Sequence, residues 1–259
     1  MRLNAIVHAP EGAEQKPPLV IAHGLFGSAR NWGGVAKRLA YGRRVIALDM
    51  RNHGDSPWSD DQSYDGMAED LDEALALHGG GEADLLGHSM GGKAAMIAAL
   101  TRRPAGLRRL VIADIAPVGY AHSNLAYVEA MMAVDLGALT RRSEVEPQIA
   151  EAVPERSLRA FLLHSLASGP DGLRWKLNLP ALRDFMSGMV GFPEVDGTWP
   201  GETLFLRGGV SDYADDAGLA AARPLFPAME VETLAGAGHW LHAEQPEAFA
   251  AAVAAFLDR

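Results

Sequence analysis

The chain has 259 residues, 48% of them apolar, which suits one large globular domain or a domain with an insert. Its formal net charge of −10 at pH 7 argues against binding to nucleic acid or to an anionic membrane. Because there is no cysteine, disulfides, thiolate catalysis and cysteine-based zinc sites are excluded. With no signal-like apolar run and no segment of roughly 20 apolar residues, we expect a cytoplasmic protein without a membrane span.

The first half of the chain alternates short apolar runs with longer helical patterns. The run "LNAIVHA" predicts an edge strand, and "PLVIAHG" and "RRVIALDM" predict strands that are buried on both faces. Helices are predicted for "NWGGVAKRLA" and for the segment from a Ser63 N-cap to Gly79. Two more strands, "ADLLGHS" and "LRRLVIADI", flank the helical pattern "GGKAAMIAALTRR". This alternation predicts a doubly wound, mostly parallel α/β sheet.

The alternation stops in the middle of the chain and resumes near the end. Between residues 117 and 200 the patterns are helical, with "LRWKL" as a short strand signal. Strand and helix patterns return with "ETLFLRGG", "AGLAAARPLF", "AMEVETLAG" and "EQPEAFAAAVAAFLD". We therefore predict a helical cap, residues 117–200, between a first core segment, residues 1–116, and a second core segment, residues 201–259.

The stretch "LLGHSMGGK" isolates one serine, Ser89, between a predicted strand and a predicted helix. A sharp turn there would expose the hydroxyl at the carboxyl edge of the sheet, where open α/β folds bind ligands. Gly87, Gly91 and Gly92 would relieve the crowding that such a turn creates. We predict that Ser89 is a nucleophile; the alternative is a structural turn that happens to contain a serine.

A serine nucleophile needs a base, and "GAGHWLHAEQP" supplies the best histidine. His239 follows the last predicted strand on a glycine-rich loop, so it would lie over the same sheet edge, and we predict that it is the general base. We expect His242 to have a packing or hydrogen-bonding role. The H-x-x-H-x-E spacing through Glu244 is an alternative metal pattern, but it lies on a loop without a third ligand, so we expect no metal and no cofactor.

Acyl transfer also needs donors for the oxyanion. The amide of Met90, at the start of the helix after the nucleophile, is one predicted donor. The amide of Leu25 in "HGLFGS", after the strand "PLVIAHG", is the other. The alternative for "HGLFGS" is an ordinary turn between a strand and a helix.

Seven motifs occur in an order typical of one family: "HGLFGSARNW", "LDMRNHGDSP", "GHSMGGK", "ADIAPVGY", "RWKLNLPAL", "LFLRGGVSDY" and "GAGHWLHAE". From about residue 18 to the C-terminus the chain resembles the α/β-hydrolase superfamily, and within it the YbfF-type esterases. The resemblance implies an α/β-hydrolase fold, with a mostly parallel doubly wound sheet and a helical cap inserted after the sixth strand. It also implies hydrolysis of carboxylic esters, with acyl-CoA thioesters as a further substrate class.

The acid of the triad departs from the commoner pattern of this superfamily. Most members carry it three residues after the first glycine that follows the strand equivalent to "TLFLRGG", and that slot here is Ser211. Some members take it from the preceding strand, where Asp114 ends "LRRLVIADI". We therefore predict Asp114 as the acid. The alternatives are that Asp114 only braces the start of the cap, or that Asp212 is the acid through a shift of one residue.

The predicted function is a serine hydrolase that forms an acyl-enzyme on Ser89, with His239 as general base and Asp114 as the acid. Its substrate would be a small-molecule acyl ester or thioester. The alternatives are a C–C bond hydrolase or a cofactor-free perhydrolase with the same triad, and a ligand-binding member without catalysis.

Three further features have two interpretations each. The turn "RNHGDSP" is read as a scaffold near the pocket rather than a catalytic group. Lys93 either influences an anionic substrate or forms a salt bridge on the helix surface. Six apolar side chains belong either to the pocket wall or to the core of the cap: Met131, Met132, Phe161, Trp175, Phe185 and Met186.

Overall fold

The computed structural model describes residues 1–170 and 172–259, and a seven-stranded sheet is its centre. The strands are β1 (Ala5–His8), β2 (Leu19–Ala22), β3 (Val45–Leu48), β4 (Ala83–His88), β5 (Leu107–Ala113), β6 (Leu166–Gly169), β7 (Gly172–Trp175), β8 (Thr203–Gly208) and β9 (Met229–Leu234). Strand β6 pairs with β7 in a separate sheet, and the central sheet has the order β1-β3-β2-β4-β5-β8-β9. Only the edge strand β1 pairs antiparallel in this sheet. This is the mostly parallel sheet that the alternation predicts.

Helices cover both faces of the sheet because its inner strands are apolar on both sides. The helices are α1 (Gly33–Leu39), α2 (Tyr64–His78), α3 (Met90–Ile97), α4 (Leu125–Ala133), α5 (Glu146–Ile149), α6 (Arg156–Leu163), α7 (Leu179–Asp184), α8 (Met186–Val190), α9 (Asp216–Ala222), α10 (Leu241–Glu244) and α11 (Pro246–Leu257). Val20 and Ala22 face the core beneath α2 and α3, whereas Leu19 and Ile21 face the core beneath α1 and α11. The sheet is therefore doubly wound.

Local capping explains where several helices begin. The Ser63 side chain accepts a hydrogen bond of 3.1 Å from the Gly66 amide, so α2 starts at the predicted N-cap, and it ends at His78, just before Gly79. Short helical turns supplement the α-helices: a π turn, Ala98–Arg102, extends α3, and 3₁₀ turns span Ala29–Trp32, Leu136–Ala138 and Arg142–Glu144. In the described part of the chain, no helix combines the length and the apolar character that a bilayer span requires.

The segment between β5 and β8 holds α4 to α8 and a hairpin formed by β6 and β7. Sequence patterns missed β6, because its residues "LASG" have little β propensity and carry no alternation. One expectation was wrong: the segment follows the fifth strand, not the sixth. The polar, proline-containing stretch 9–18 forms no named strand, so only β1 precedes β2.

Candidate active site

Ser89 occupies the turn between β4 and α3 in a strained backbone conformation, with φ 52° and ψ −119°. A non-glycine residue rarely adopts such angles, which turn the side chain outward from the end of the strand. Close backbone packing maintains the turn, because a Cβ atom at Gly87 would collide with the carbonyl of Gly91, and one at Gly91 with the carbonyl of Ala22. The local geometry is that of a nucleophile elbow.

The loop between β9 and α10 brings His239 to this serine. Its Nε2 atom lies 3.1 Å from Ser89 Oγ. The Glu244 carboxylate accepts a hydrogen bond of 2.7 Å from the Gly238 amide, on one side of the histidine. The carbonyl of His239 itself accepts a hydrogen bond of 2.9 Å from His88 Nε2. The imidazole therefore projects from a backbone that two separate side chains hold.

Asp114 lies at the end of β5, buried, with its carboxylate directed at the imidazole. Its Oδ2 atom lies 2.8 Å from His239 Nδ1, and Oδ1 accepts the Gly208 amide at 2.8 Å. The Ser211 hydroxyl also donates to Oδ2. Because an ionised carboxylate only accepts, Nδ1 carries the proton, and Nε2 is left to accept from the Ser89 hydroxyl. Asp212 is exposed and makes no such contact among the described residues.

Sequence reasoning gave no role to Ser211, although it occupies the slot where the superfamily commonly has its acid. A neutral hydroxyl cannot itself stabilise an imidazolium, so Ser211 cannot replace the acid. In the structure this hydroxyl instead serves the carboxylate from the neighbouring strand, and the signal that could have found it was its position in that slot.

The two predicted oxyanion donors line one cavity together with Ser89 and His239. Met90 is the first residue of α3, so its amide has no acceptor within the helix, and the helix dipole favours negative charge there. The Leu25 amide lies in the loop after β2. Within the described residues, neither of these two amides donates to a backbone carbonyl or to a side chain.

Two buried neutral histidines brace the loop that carries Leu25. His23 contacts the Gly24 carbonyl through Nδ1 at 2.8 Å and accepts the Met50 amide through Nε2 at 3.0 Å. His53 Nε2 accepts the Phe26 amide at 3.2 Å, where Phe26 has a φ of 64°. Burial lowers the pKa of His23, and burial lowers the pKa of His53 to about 3. Both rings are therefore neutral near pH 7, and His53 fits the scaffold interpretation of "RNHGDSP".

The cavity has a volume of about 370 Å³ and lies between the sheet edge and the segment 117–200. This segment contributes both apolar and polar residues to the wall. The apolar ones are Leu158, Phe161, Met186, Met189 and Val190, and the polar ones include His122, Ser123, Asn124 and Glu155. Of the six apolar side chains singled out in the sequence, Phe161 and Met186 line the cavity. Trp175 instead donates to the Met131 carbonyl at 3.1 Å, with both side chains buried in the cap segment.

The structure places Lys93 in the cavity wall, so the predicted surface salt bridge is wrong, and an influence on an anionic substrate stays a prediction. Its side chain is buried, and Nζ donates to the carbonyls of Val118 at 2.8 Å, Val190 at 3.1 Å and Gly191 at 2.5 Å. It forms no surface salt bridge, as far as the described residues show, because α3 directs it into the cavity wall rather than toward solvent. Burial lowers the pKa of Lys93 to about 7. The lysine joins α3 to two separate parts of the segment 117–200.

His242 and Glu244, the remaining members of the H-x-x-H-x-E pattern, have other partners. The His242 ring stacks on Trp32 with 4.3 Å between centroids and 6° between planes, and burial lowers its pKa to about 3. This is a packing contact. The described residues contain no cluster of three or more histidine, cysteine or acidic side chains suited to a metal ion.

Comparison with known proteins relates this geometry to a family. The α/β hydrolase family matches residues 19–252. The sn-1-specific diacylglycerol lipase ABHD11 of Mus musculus is 40% identical over 255 residues, which are 95% of this chain and 83% of that protein. Esterase YbfF of Escherichia coli K12 is 35% identical over 262 residues, with both chains covered completely.

A solved structure described as a marine microorganism esterase superposes with a TM-score of 0.90 at 35% identity. The superposition covers 98% of this chain and 99% of the other. The predicted fold class and the predicted resemblance are both confirmed. The chain belongs to the α/β-hydrolase family.

Proposed function

We propose that this protein is a serine carboxylesterase that forms an acyl-enzyme on Ser89, with His239 as general base and Asp114 as the acid of the triad. The observation that carries the proposal is the continuous hydrogen-bonded path from Ser89 Oγ to His239 Nε2, at 3.1 Å, and from His239 Nδ1 to Asp114 Oδ2, at 2.8 Å. The path ends at the wall of the cavity, where a substrate can reach the hydroxyl. This arrangement of nucleophile, base and orienting acid is the one that acyl transfer requires.

The reaction follows from these contacts. His239 Nε2 takes the hydroxyl proton as Ser89 Oγ attacks the acyl carbon, and the amides of Leu25 and Met90 stabilise the oxyanion that forms. The imidazolium then gives its proton to the leaving alcohol, and the acyl group remains on Ser89. His239 Nε2 then takes a proton from water as the water oxygen attacks the acyl carbon. When the second oxyanion collapses, the bond from the acyl carbon to Ser89 Oγ breaks, the imidazolium returns the proton to Oγ, and the carboxylic acid leaves.

The chain is an ester-hydrolysing enzyme of this family, as predicted, since relatives of 35% and 40% identity over nearly its whole length are an esterase and a lipase. We propose a small-molecule acyl ester as substrate, because Leu158, Phe161 and Met186 give the cavity an apolar wall that suits an acyl chain. The cytoplasmic location and the independence from cofactors stay predictions from the sequence.

The test is a panel of p-nitrophenyl esters and acyl-CoA thioesters of graded chain length, turned over by wild type and by Ser89→Ala. We expect turnover by wild type only, with the acyl group found on Ser89 by mass spectrometry after a rapid quench. Ser187→Ala, an exposed serine on α8, is the matched control. Turnover of esters by Ser89→Ala at the wild-type rate would contradict the proposal. Products of C–C cleavage, or peracid formation faster than hydrolysis, would move it to the alternative chemistry with the same triad.

A further inference from the structure

An aromatic ring lies flat on the imidazole of His239. Tyr213, in the loop between β8 and α9, stacks on it with 3.8 Å between ring centroids and 22° between ring planes. The hydrogen bonds at Nδ1 and Nε2 act in the plane of the imidazole, so they oppose displacement perpendicular to that plane only weakly. A ring stacked on the face of the imidazole blocks such displacement on its side. Tyr213 therefore adds a restraint that the contacts with Asp114 and Ser89 do not supply.

The position of Tyr213 is itself fixed from several directions. Its carbonyl accepts the Tyr120 hydroxyl at 2.5 Å, and its amide donates to Ser211 Oγ at 3.3 Å. Its phenol oxygen lies 2.6 Å from His122 Nε2. Tyr120 and His122 follow β5 at the start of the cap segment, whereas Ser211 also binds the acid, Asp114. Tyr213 is therefore held by Tyr120 and His122 from the cap segment, and by Ser211, which also binds Asp114.

The phenol is suited to a fixed, uncharged role. Burial raises the pKa of Tyr213, so the hydroxyl stays protonated near pH 7 and shares its hydrogen bond with His122. The face of an aromatic ring attracts a cation, so the same stack also favours the imidazolium that forms during each half of the reaction.

We propose that Tyr213 is a positioning residue for His239, and that His122 anchors it from the cap segment. The inference rests on the proposed function, because it assigns Tyr213 a role only if His239 moves the proton. Tyr213 touches no reacting atom and acts through the imidazole. Because His239 serves both acylation and deacylation, a misplaced imidazole slows both steps.

The first test compares Tyr213→Leu, which removes the ring, with Tyr213→Phe, which keeps it. For hydrolysis of a p-nitrophenyl ester, we expect Tyr213→Leu to lower kcat by about 10- to 100-fold with little change in KM, since small misplacements of a catalytic group have effects of this size. Stopped-flow measurements should show acylation and deacylation slowed by similar factors. Tyr213→Phe should lose far less. Wild-type kcat in Tyr213→Leu would overturn the inference.

A double-mutant cycle separates positioning from a general structural role. In a His239→Ala background, Tyr213→Leu should cause no further loss of residual turnover, because no imidazole is left to position. A further loss equal to that in the wild-type background would overturn the inference.

The anchor has its own test, which does not depend on the folding of Tyr213→Leu. His122→Ala and Tyr213→Phe remove the same hydrogen bond, so each should lower kcat by a similar small factor, and the double variant should be no slower than either. Additive losses would contradict the anchoring by His122. Wild type and Ser89→Ala are measured alongside: an inert wild type would overturn the proposed function, whereas an active wild type with an unaffected Tyr213→Leu would overturn only this inference.

Discussion

The two sides of the cavity are built in different ways. On the sheet side, Ser89, Asp114 and His239 each follow a strand, and backbone hydrogen bonds or strained dihedral angles fix their directions. On the cap side, formed by the segment 117–200, α6 and α8 contribute apolar side chains, and the chain before α4 adds polar ones. A rigid sheet edge suits reacting groups, because their hydrogen bonds need fixed directions. An insert can supply a wall that binds substrate through its shape, without depending on any single contact. Substitutions of Ser89, Asp114 and His239 should therefore lower kcat, and substitutions in the apolar wall formed by α6 and α8 should change KM.

The largest effect should come from the nucleophile and the base. Ser89→Ala and His239→Ala should each lower kcat for a p-nitrophenyl ester by a factor on the order of 10⁵ to 10⁶, because each removes the covalent route. The double variant should be little worse than either single one, since the two residues act as a unit. If the two losses multiply in the double variant, Ser89 and His239 do not act as a unit, and the view that the sheet side fixes the directions of paired catalytic groups is wrong.

Asp114→Asn comes next, with a loss of kcat on the order of 10⁴, because the amide no longer stabilises the imidazolium and favours the wrong tautomer. Asp212→Asn is the matched control, one loop away and exposed, and should keep kcat close to the wild-type value. Both variants should unfold at temperatures close to that of wild type, which circular dichroism would check. The reverse ranking would make Asp212 the acid.

The third prediction concerns Lys93, which joins the two sides of the cavity, and the dependence of stability on pH. Its pKa is lowered to about 7 in the folded protein, whereas an unfolded lysine titrates near 10.5, so the unfolded chain binds more protons between these values. The free energy of unfolding should therefore rise with pH across this window in wild type, relative to Lys93→Met, by up to about 1.4 kcal/mol per pH unit. Tyr120 and Tyr64 lie over the ammonium, and burial raises both of their pKa values, so their phenols stay neutral in most of the window.

Urea unfolding at pH 7, 8 and 9 measures this difference. Parallel pH curves for wild type and Lys93→Met would contradict it.

The smallest effect should come from the cap wall. Phe161→Ala removes apolar surface from the cavity, so KM for longer acyl esters should rise roughly threefold to tenfold, with kcat little changed. Met132→Ala, on α4 and 36% exposed, is the control and should leave KM unchanged. A fall in kcat with constant KM would mean that this wall also positions the reacting acyl group, and does not only bind the acyl chain.

The sheet side could be read from the sequence because its signals are local. The nucleophile turn needs glycines within three residues of Ser89, and the strand before Asp114 is a continuous apolar run. The contacts that were missed join distant segments: Ser211 meets Asp114 across 97 residues. A surface salt bridge was one of the two interpretations of Lys93 because lysine is seldom buried, and no local pattern reveals the three carbonyls that accept from it. Tyr213 and His122 are likewise brought together only by the fold.

The buried histidines of the site bear on how activity responds to acid, because their rings are neutral. Four buried imidazoles lie around the site, those of His23, His53, His88 and His242, and burial lowers the pKa of each. Their rings carry no charge near neutral pH, so they supply hydrogen bonds and stacking without a change of state as the medium acidifies. Activity should therefore not depend on the protonation of these four rings near neutral pH, because they keep the same hydrogen bonds and stacking contacts throughout that range.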